Sequence, residues 1–421
     1  MVRLYNDLTK NVETLAAPSP VSLYVCGITP YDTTHLGHAF TYCSFDLLVR
    51  FLEWQGKTVR YVQNVTDVDD DILRKAAEAQ EDWRSLGNCW VQRFARDMAA
   101  LNVRPPDCYP RASEAIPNII ALIEILLARG DCYERDGCVY LSARRAGFGR
   151  LSRLPPEQWL PVANEHGNHA DDPRKADPLD PVLWQAQQPG EPSWPSPWGQ
   201  GRPGWHIECS ALNLGRLGAQ IDIHGGGADL VFPHHETEIA LAQAVTQREP
   251  FARFWLHTGL VCYRGAKMSK SLGNLVLVGD LLRENDADAL RLYFATHHYR
   301  QPWCHEGSNL AACASRAARW RRLVRAGARP SLHVQETCVG RFTSAMADDL
   351  DSPRAVTALE HLADDMERGR ASKRHAGSAD ALAELASVLG LRLDAERPGP
   401  GVSVGWARHA ARFGALQEEE A

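Results

Sequence analysis

Two histidines three residues apart, His35 and His38, follow an apolar segment at residues 21–25 that is typical of a β-strand. Gly27 lies in the turn that joins this segment to His35, and Gly37 lies between the two histidines. A helical pattern of apolar side chains follows. Backbone N–H groups at the start of a helix attract phosphate. The pattern predicts a cradle in which these glycines and histidines contact a nucleoside triphosphate. The alternative is a common glycine turn with two surface histidines.

A second cluster of phosphate-binding side chains lies in the second half of the chain. Lys267 and Lys270 alternate with serines in residues 265–274, which end in a Gly-Asn pair. Two ammonium groups and two hydroxyls on such a loop suit a polyphosphate. We expect both lysines to act on the same nucleotide as the histidines.

The elements that must position these residues are strands and helices in alternation. Residues 58–65 are rich in β-branched side chains and follow the first helix after Gly56, which suits a helix C-cap. Strand, helix and strand make a βαβ unit with parallel strands, and ligands bind at the carboxyl ends of such strands. The acidic run at residues 67–71 is expected to open a helix, with metal binding as the alternative.

A further strand is predicted at residues 220–224, and a glycine run at residues 225–227 follows it. Glycines allow a backbone to approach a ligand closely, and a carboxylate accepts hydrogen bonds from ribose hydroxyls. We therefore expect Gly226 and Asp229 to contribute to the ATP site.

Four side chains form a candidate metal site. His234 and Glu238 are four residues apart on a predicted helix, so both project from one helical face. Cys26 and Cys209 are further possible donors, and zinc accepts sulfur, nitrogen and oxygen ligands. The spacing alone leaves open that the lone cysteines are core residues.

Composition limits the class of protein. The chain has 421 residues, 44% of them hydrophobic, and a formal net charge of −6, which argues against indiscriminate coating of nucleic acid. Eleven cysteines without a Cys-x-x-Cys pair argue against a disulfide scaffold. With no signal-peptide pattern and no apolar run long enough for a bilayer, we expect a cytoplasmic, monomeric enzyme rather than a membrane protein.

The chain divides by composition into five parts. We expect a first half of a catalytic domain at 1–105, a connective insertion at 106–200, the second half at 201–285, a helical domain at 286–395 and a flexible tail at 396–421. The insertion includes a hairpin at residues 132–141 and then a long Pro- and Gly-rich run that is read as irregular. Four arginines recur at helical spacing in the helical domain and suit either phosphate contacts or a solvated face: Arg316, Arg319, Arg322 and Arg325.

The motifs resemble known ones. His35-Leu36-Gly37-His38 and the lysine loop from Lys267 are similar to the signature pair of class I aminoacyl-tRNA synthetases. Over about residues 20 to 300, further segments resemble cysteinyl-tRNA synthetase: Tyr24-Val25-Cys26-Gly27, Asn64-Val65-Thr66-Asp67, Gly204-Trp205-His206-Ile207-Glu208-Cys209-Ser210, Asp222-Ile223-His224 and Phe232-Pro233-His234-His235-Glu236.

The resemblance implies an α/β fold, with a Rossmann-like parallel-sheet core, an inserted connective domain and an α-helical bundle domain. It implies one Zn²⁺ held by Cys26, Cys209, His234 and Glu238 in the amino-acid pocket, with Thr66 and Trp205 beside the substrate. The implied reaction joins L-cysteine to ATP as cysteinyl-adenylate, with Mg²⁺ accompanying the ATP. His35, His38, Lys267 and Lys270 would stabilise the charge that develops on the phosphates.

The resemblance leaves the acceptor open. The main expectation is the 3′ end of tRNA(Cys), because His224, Glu238 and Leu272 follow the synthetase pattern. The tail after residue 401 is too short for the anticodon-reading domain of that family, as in the related mycothiol-pathway ligases, and residues 27–32 resemble both. The alternative acceptor is therefore the amine of glucosaminyl-inositol. A third hypothesis is a non-catalytic paralogue that acts as a binding module, although His38, Lys270 and the four metal donors are all present.

Overall fold

The computed structural model of the chain describes residues 1–31, 34–268, 273–372, 376–394 and 400–414. The strands are β1 (Arg3–Asn6), β2 (Asn11–Thr14), β3 (Val21–Ile28), β4 (Val59–Val65), β5 (Cys132–Arg135), β6 (Cys138–Leu141), β7 (Val182–Ala186), β8 (Trp194–Ser196), β9 (Gly199–Pro203), β10 (Ile221–Gly227), β11 (Ala252–Thr258), β12 (Val261–Tyr263), β13 (Ala266–Lys267) and β14 (Trp303–His305). The helices are α1 (Leu36–Trp54), α2 (Asp70–Ala79), α3 (Trp83–Ala100), α4 (Ile116–Arg129), α5 (Ala143–Ala146), α6 (Pro156–Glu165), α7 (Trp205–Leu217), α8 (Glu236–Thr246), α9 (Val278–Glu284), α10 (Ala287–Ala295), α11 (Gly307–Arg325), α12 (Leu332–Ala347), α13 (Ser352–Ser372), α14 (Ala381–Val388) and α15 (Pro400–Gly414).

A parallel four-stranded sheet in the order β11-β10-β3-β4 forms the centre of the catalytic part. Val21, Leu23 and Val25 of β3 are completely buried because helices cover both faces of the sheet. The predicted βαβ unit of β3, α1 and β4 is confirmed, as is the α/β class. Asp69 caps α2 by accepting from the backbone N–H of Asp71 at 2.9 Å, so the acidic run opens a helix as expected.

The insertion is more regular than its composition suggests. The predicted hairpin is present, with Asp136 and Gly137 in left-handed conformation between β5 and β6. The Pro- and Gly-rich run that follows contributes α5, α6 and β7 to β9, and completes a five-stranded antiparallel sheet in the order β5-β6-β7-β9-β8. Our expectation of an irregular run was wrong, because buried Trp184 anchors β7 and Gly204 lets the chain pass closely over Val182.

The helical domain begins after β13 and packs around Trp320, Phe342 and Leu359, all completely buried. Two of the four arginines at helical spacing face acids of the same domain. Arg319 on α11 contacts three acidic side chains of α13 at 2.5–3.0 Å, and Arg316 pairs with one of the three, Glu360. Within the described part of the chain, no helix is both long and apolar enough to cross a membrane.

The cysteines follow two patterns. Cys43 and Cys313 are buried on helices, as expected of small core residues. Cys262 and Cys304 form a disulfide between β12 and β14, where the two residues are direct cross-strand partners. The 42-residue separation of this pair explains why sequence spacing did not indicate it.

The expected flexible tail at 396–421 is wrong for residues 400–414, which form α15 against α3. Trp406 is 1% exposed and donates from its indole N–H to the carbonyl of Val103 at 2.8 Å. Phe413 is also buried, with the guanidinium of Arg111 4.2 Å from its ring centre. Two aromatic side chains on one helical face thus dock the segment.

We predict that Trp406→Ala lowers the free energy of unfolding by about 3 kcal/mol, since it removes a buried indole and its hydrogen bond. The measurement is urea denaturation followed by circular dichroism. Val404→Ala is the matched control, because Val404 lies on the same helix and is 56% exposed. Equal midpoints for the two variants would show that α15 is not docked.

Candidate active site

A cavity of about 1000 Å³ opens at the carboxyl ends of β3, β4 and β10. Its walls come from the first turns of α1, α2 and α7, from residues 227–234 and from the 165–175 loop of the insertion. Ten of the residues predicted from the sequence line it: Cys26, Gly27, His35, Gly37, His38, Thr66, Trp205, Cys209, Asp229 and His234.

The histidine pair is built into the start of α1. His35 is the N-cap residue, and its Nδ1 accepts from the backbone N–H groups of Gly37 at 3.1 Å and His38 at 3.4 Å. The two imidazoles stack with ring centres 3.8 Å apart. A Cβ on Gly37 would lie 2.9 Å from His35 Cε1, so only glycine leaves room for this cap. Position 27 also requires glycine, because a Cβ there would collide with the backbone carbonyl of Asn64.

Three of the four predicted metal donors, Cys26, His234 and Glu238, belong to one compact group, and the fourth, Cys209, lies beside Cys26. Cys26 Sγ is 3.5 Å from Glu238 Oε1, and His234 Nε2 is 3.2 Å from the same oxygen. Cys209, on α7, has its sulfur 4.0 Å from that of Cys26. His235 was not predicted, yet its Nε2 lies 3.3 Å from Cys26 Sγ. The adjacent His-His pair was the sequence signal that could have drawn attention to it.

The chemistry of this donor group fits a zinc ion. Ligand atoms of Cys26, His234, His235 and Glu238 lie within 4.8 Å of one another, and all four residues are buried. Burial raises the pKa of the Glu238 carboxyl and of the Cys26 thiol well above their usual values, and lowers the pKa of His234. Among the described residues, the polar groups that contact Glu238 are thiol and imidazole groups, such as His224 Nε2 at 3.1 Å. Thiol, imidazole and carboxyl groups are all types of ligand that zinc accepts, and the ligand atoms of tetrahedral zinc lie roughly 3.2–3.8 Å apart.

The remaining predicted residues are placed as follows. Trp205 stacks on His234 with ring centres 4.4 Å apart, at the cavity wall. Thr66 is buried, and its hydroxyl accepts from the side-chain amide of Asn64 at 3.1 Å. Gly226 lies against the ring of His235. The backbone of Lys267 lies in β13, whereas Lys270 is outside the described residues.

Two family models together match most of the chain. A family model described as tRNA synthetases class I (C) catalytic domain matches residues 13–315, and a DALR domain model matches residues 341–394. The chain belongs to the class I tRNA synthetase family. Membership in it makes this protein a ligase-type enzyme that uses ATP and an amino acid.

The chain is similar to its relatives over most of the length of both proteins. It is 45% identical over 395 residues to a protein of Thermomonospora curvata named L-cysteine:1D-myo-inositol 2-amino-2-deoxy-alpha-D-glucopyranoside ligase, which covers 93% of this chain and 94% of that protein. A relative with the same name from Acidothermus cellulolyticus is 46% identical over 359 residues, covering 85% and 88%. The fold is also that of Mycobacterium tuberculosis methionyl-tRNA synthetase in complex with methionyl-adenylate, with a TM-score of 0.62 at 16% identity over 94% of this chain and 91% of that one.

These relatives correct the expected acceptor. Our main expectation was tRNA(Cys), and the amine of glucosaminyl-inositol was the alternative. The relatives that align over nearly the whole chain are named as ligases of the second kind. The comparisons therefore favour the alternative over the tRNA interpretation.

We predict opposite stability effects for two glycine substitutions in helices. Gly37→Ala should lower the free energy of unfolding by about 1 kcal/mol, because the new methyl displaces the His35 cap. Gly340→Ala, at an open and exposed site on α12, should raise it by about 0.5–1 kcal/mol. Thermal unfolding of both variants tests this, and a stabilising Gly37→Ala would contradict the capping role.

Proposed function

We propose that this enzyme activates L-cysteine with ATP and transfers it to the amine of an amino sugar linked to inositol. The observation that carries the proposal is the single cavity in which the metal donors, the His35–His38 pair and the polar 165–175 loop meet. The high identity to ligases of that name supports it. Cysteine activation and acceptor transfer would occur in adjoining parts of this cavity.

Selection of cysteine is assigned to the metal donors. Cys26, Cys209, His234 and Glu238 would hold Zn²⁺ at the cavity floor. A zinc ion there would bind the substrate thiol as a thiolate, a ligand that the hydroxyl of serine replaces poorly. Trp205, stacked on His234, would cover the substrate, and Thr66 would lie beside its amino and carboxylate groups.

Activation is assigned to the start of α1 and to the lysine loop. The cysteine carboxylate would attack the α-phosphorus of ATP, forming an acyl-phosphate bond and releasing pyrophosphate. His35 and His38 would hydrogen-bond the phosphate oxygens, while Lys267, Lys270 and Mg²⁺ offset charge on the leaving pyrophosphate. Gly27 and Asp229 would contact the nucleotide. Gly226 would act indirectly, because it lies behind the cavity wall and leaves space for the His235 ring.

The charges around the cavity favour a small amine over a polyanion. Its lining includes six carboxylates but, among lysines and arginines of the described residues, only Arg174 and Lys175, and this excess of negative charge would repel tRNA phosphates: Asp69, Asp70, Asp71, Glu165, Asp171 and Asp172. The predicted phosphate-binding arginines Arg316 and Arg319 are instead paired with acids of α13. Imidazole, amide and carboxylate groups of the 165–175 loop suit the hydroxyls of a sugar and an inositol.

Transfer requires an unprotonated amine. Its nitrogen would attack the acyl carbon, so that a C–N bond forms, the C–O bond to the phosphate breaks and AMP leaves with the bonding electrons. Asp69 lines the cavity, and burial together with Asp70 and Asp71 raises its pKa to about 6. We assign it to bind the ammonium form and to accept the proton that the nitrogen loses.

We predict about one zinc per chain in the purified enzyme, held by the buried donors. Cys209→Ser should lose most of it, because a hydroxyl is a weak zinc ligand. Elemental analysis of wild type and variant measures this. Cys338→Ser, at a cysteine of the helical domain, is the control and should keep its zinc; zinc-free active enzyme would contradict the cysteine-selection argument.

The acceptor is tested by offering the enzyme radiolabelled cysteine and ATP with either glucosaminyl-inositol or tRNA(Cys). We expect label on the amino sugar alone. Asp69→Asn should slow this transfer by about 100-fold, since it removes a base but keeps a good N-cap residue for α2. Cysteine-dependent ATP–pyrophosphate exchange should persist in the variant.

One control and two contrary outcomes make this result decisive. Glu78→Gln changes an exposed carboxylate on the same helix and should leave both activities unchanged. Label on tRNA alone would overturn the proposed acceptor but not cysteine activation. An equal loss of exchange and transfer in Asp69→Asn would overturn the assignment of Asp69.

A further inference from the structure

Three side chains outside the predicted set form a hydrogen-bonded chain that ends at the metal donors. Asp7 Oδ2 lies 2.7 Å from His257 Nδ1, and His257 Nε2 lies 2.8 Å from His235 Nδ1. The other nitrogen of His235 lies 3.3 Å from Cys26 Sγ. Both histidines are buried, so water does not compete for these contacts.

We propose that Asp7 and His257 are positioning residues that hold the His235 imidazole against the Cys26 sulfur, and that His235 supports this sulfur without binding the metal. The inference rests on the metal site of the proposed function. It adds a supporting chain that begins outside the central sheet, in the segment after β1.

The number of donors, more than their distances, favours a supporting role for His235. His235 Nε2 is 3.3 Å from Cys26 Sγ and 3.9 Å from the nearer oxygen of Glu238, whereas His234 Nε2 is 3.2 Å from that oxygen. In the proposed zinc site Cys209 is the fourth donor, with its sulfur 4.0 Å from that of Cys26. A fifth protein ligand would occupy the coordination position that the substrate thiol needs.

Hydrogen-bonding capacity gives the chain its direction. A metal-bound thiolate and a carboxylate both only accept hydrogen bonds, so His235 Nε2 and His257 Nδ1 donate at the two ends. The contact between the two rings then needs a third hydrogen, which one of the two rings supplies as an imidazolium between the two anions. Burial alone would raise the pKa of Asp7, but hydrogen bonds and charge from His257 and Lys10 lower it, which keeps this end a carboxylate. The orientation of His235 is thus set from both sides, as is usual for groups around a metal.

Backbone features hold both ends of the chain in place. The N–H of Asp7 donates to the carbonyl of Trp255 on β11 at 2.9 Å, so the strand that carries His257 also fixes Asp7. Gly226 supports the other end: a Cβ there would lie 3.0 Å from His235 Cε1 and 3.3 Å from Nε2. Gly226 therefore leaves the space that the His235 ring fills.

The first test measures zinc affinity by competition with a chromogenic chelator. Asp7→Asn and His257→Leu should weaken zinc binding by about 10–100-fold, since supporting residues around metals have effects of this size. Lys10→Arg is the matched control, because it changes the side chain that contacts the other Asp7 oxygen at 3.1 Å but keeps its positive charge. Its affinity should stay within about twofold of wild type. Unchanged affinity in both chain variants, with their thermal unfolding intact, would overturn the proposal.

The second test separates support from ligation with Co²⁺ in place of zinc. His235→Gln, which keeps an N–H donor, should retain the wild-type absorption bands and more affinity than His235→Leu. His234→Gln, the control at the neighbouring residue, should change the bands because it removes a ligand. A band change in His235→Gln like that in His234→Gln would overturn the supporting role. If the wild type binds neither metal, the proposed metal site itself fails, which is distinct from failure of the chain.

Discussion

The site depends on ionisable side chains that are buried together, and among the described residues no lysine or arginine pairs with Glu238 or Cys26 to balance them. Glu238 and Cys26 have raised pKa values, and His234 has a lowered one, because burial disfavours each charged form. Folding around such a group is costly unless the groups stay neutral or a bound cation compensates the charge. Three distant segments, at β3, α7 and α8, must therefore converge with little freedom.

Close backbone approaches give the site its rigidity. At Gly27, Gly37 and Gly226 the space of a Cβ is taken by a neighbouring carbonyl or an imidazole. Each glycine thus lets two parts of the site approach closely. Gly27 brings β3 against β4, Gly37 brings α1 against the His35 ring, and Gly226 brings β10 against the His235 ring. Close-packed groups of this kind have few alternative arrangements, which suits the proposed site, where the substrate would align with both a metal and a triphosphate.

Charge distribution distinguishes the activation region from the acceptor region. The histidines at the start of α1 face the cavity, as does a helix N-terminus that favours phosphate. The rim formed by α2 and the 165–175 loop is rich in carboxylates. Arg319 is bound by acids of its own domain, and its ion pairs are partly exposed, so they contribute orientation more than stability. This division underlies our proposal that ATP binds at one end of the cavity and a cationic sugar at the other.

The sequence determined much of this molecule through short-range patterns. Three features depend only on local spacing and can be read without knowing the tertiary structure. They are the alternation of strands and helices, the His35–Gly37–His38 turn and the i,i+4 pair of His234 and Glu238. Family motifs added Cys26 and Cys209 as partners of that pair. Composition misled where Pro and Gly were taken as signs of irregular chain, because edge strands and tight crossings use the same residues.

Only the tertiary structure decided which distant residues meet. Asp7 reaches His257 across 250 positions, and Trp406 reaches Val103 across 303. The Cys262–Cys304 pair depends on the register of two parallel strands. Arg319 had the spacing of a phosphate-binding row, but its partners lie on another helix. Such contacts follow from packing and strand register, which depend on the whole chain. The sequence around either partner therefore shows no periodic pattern that would predict the contact.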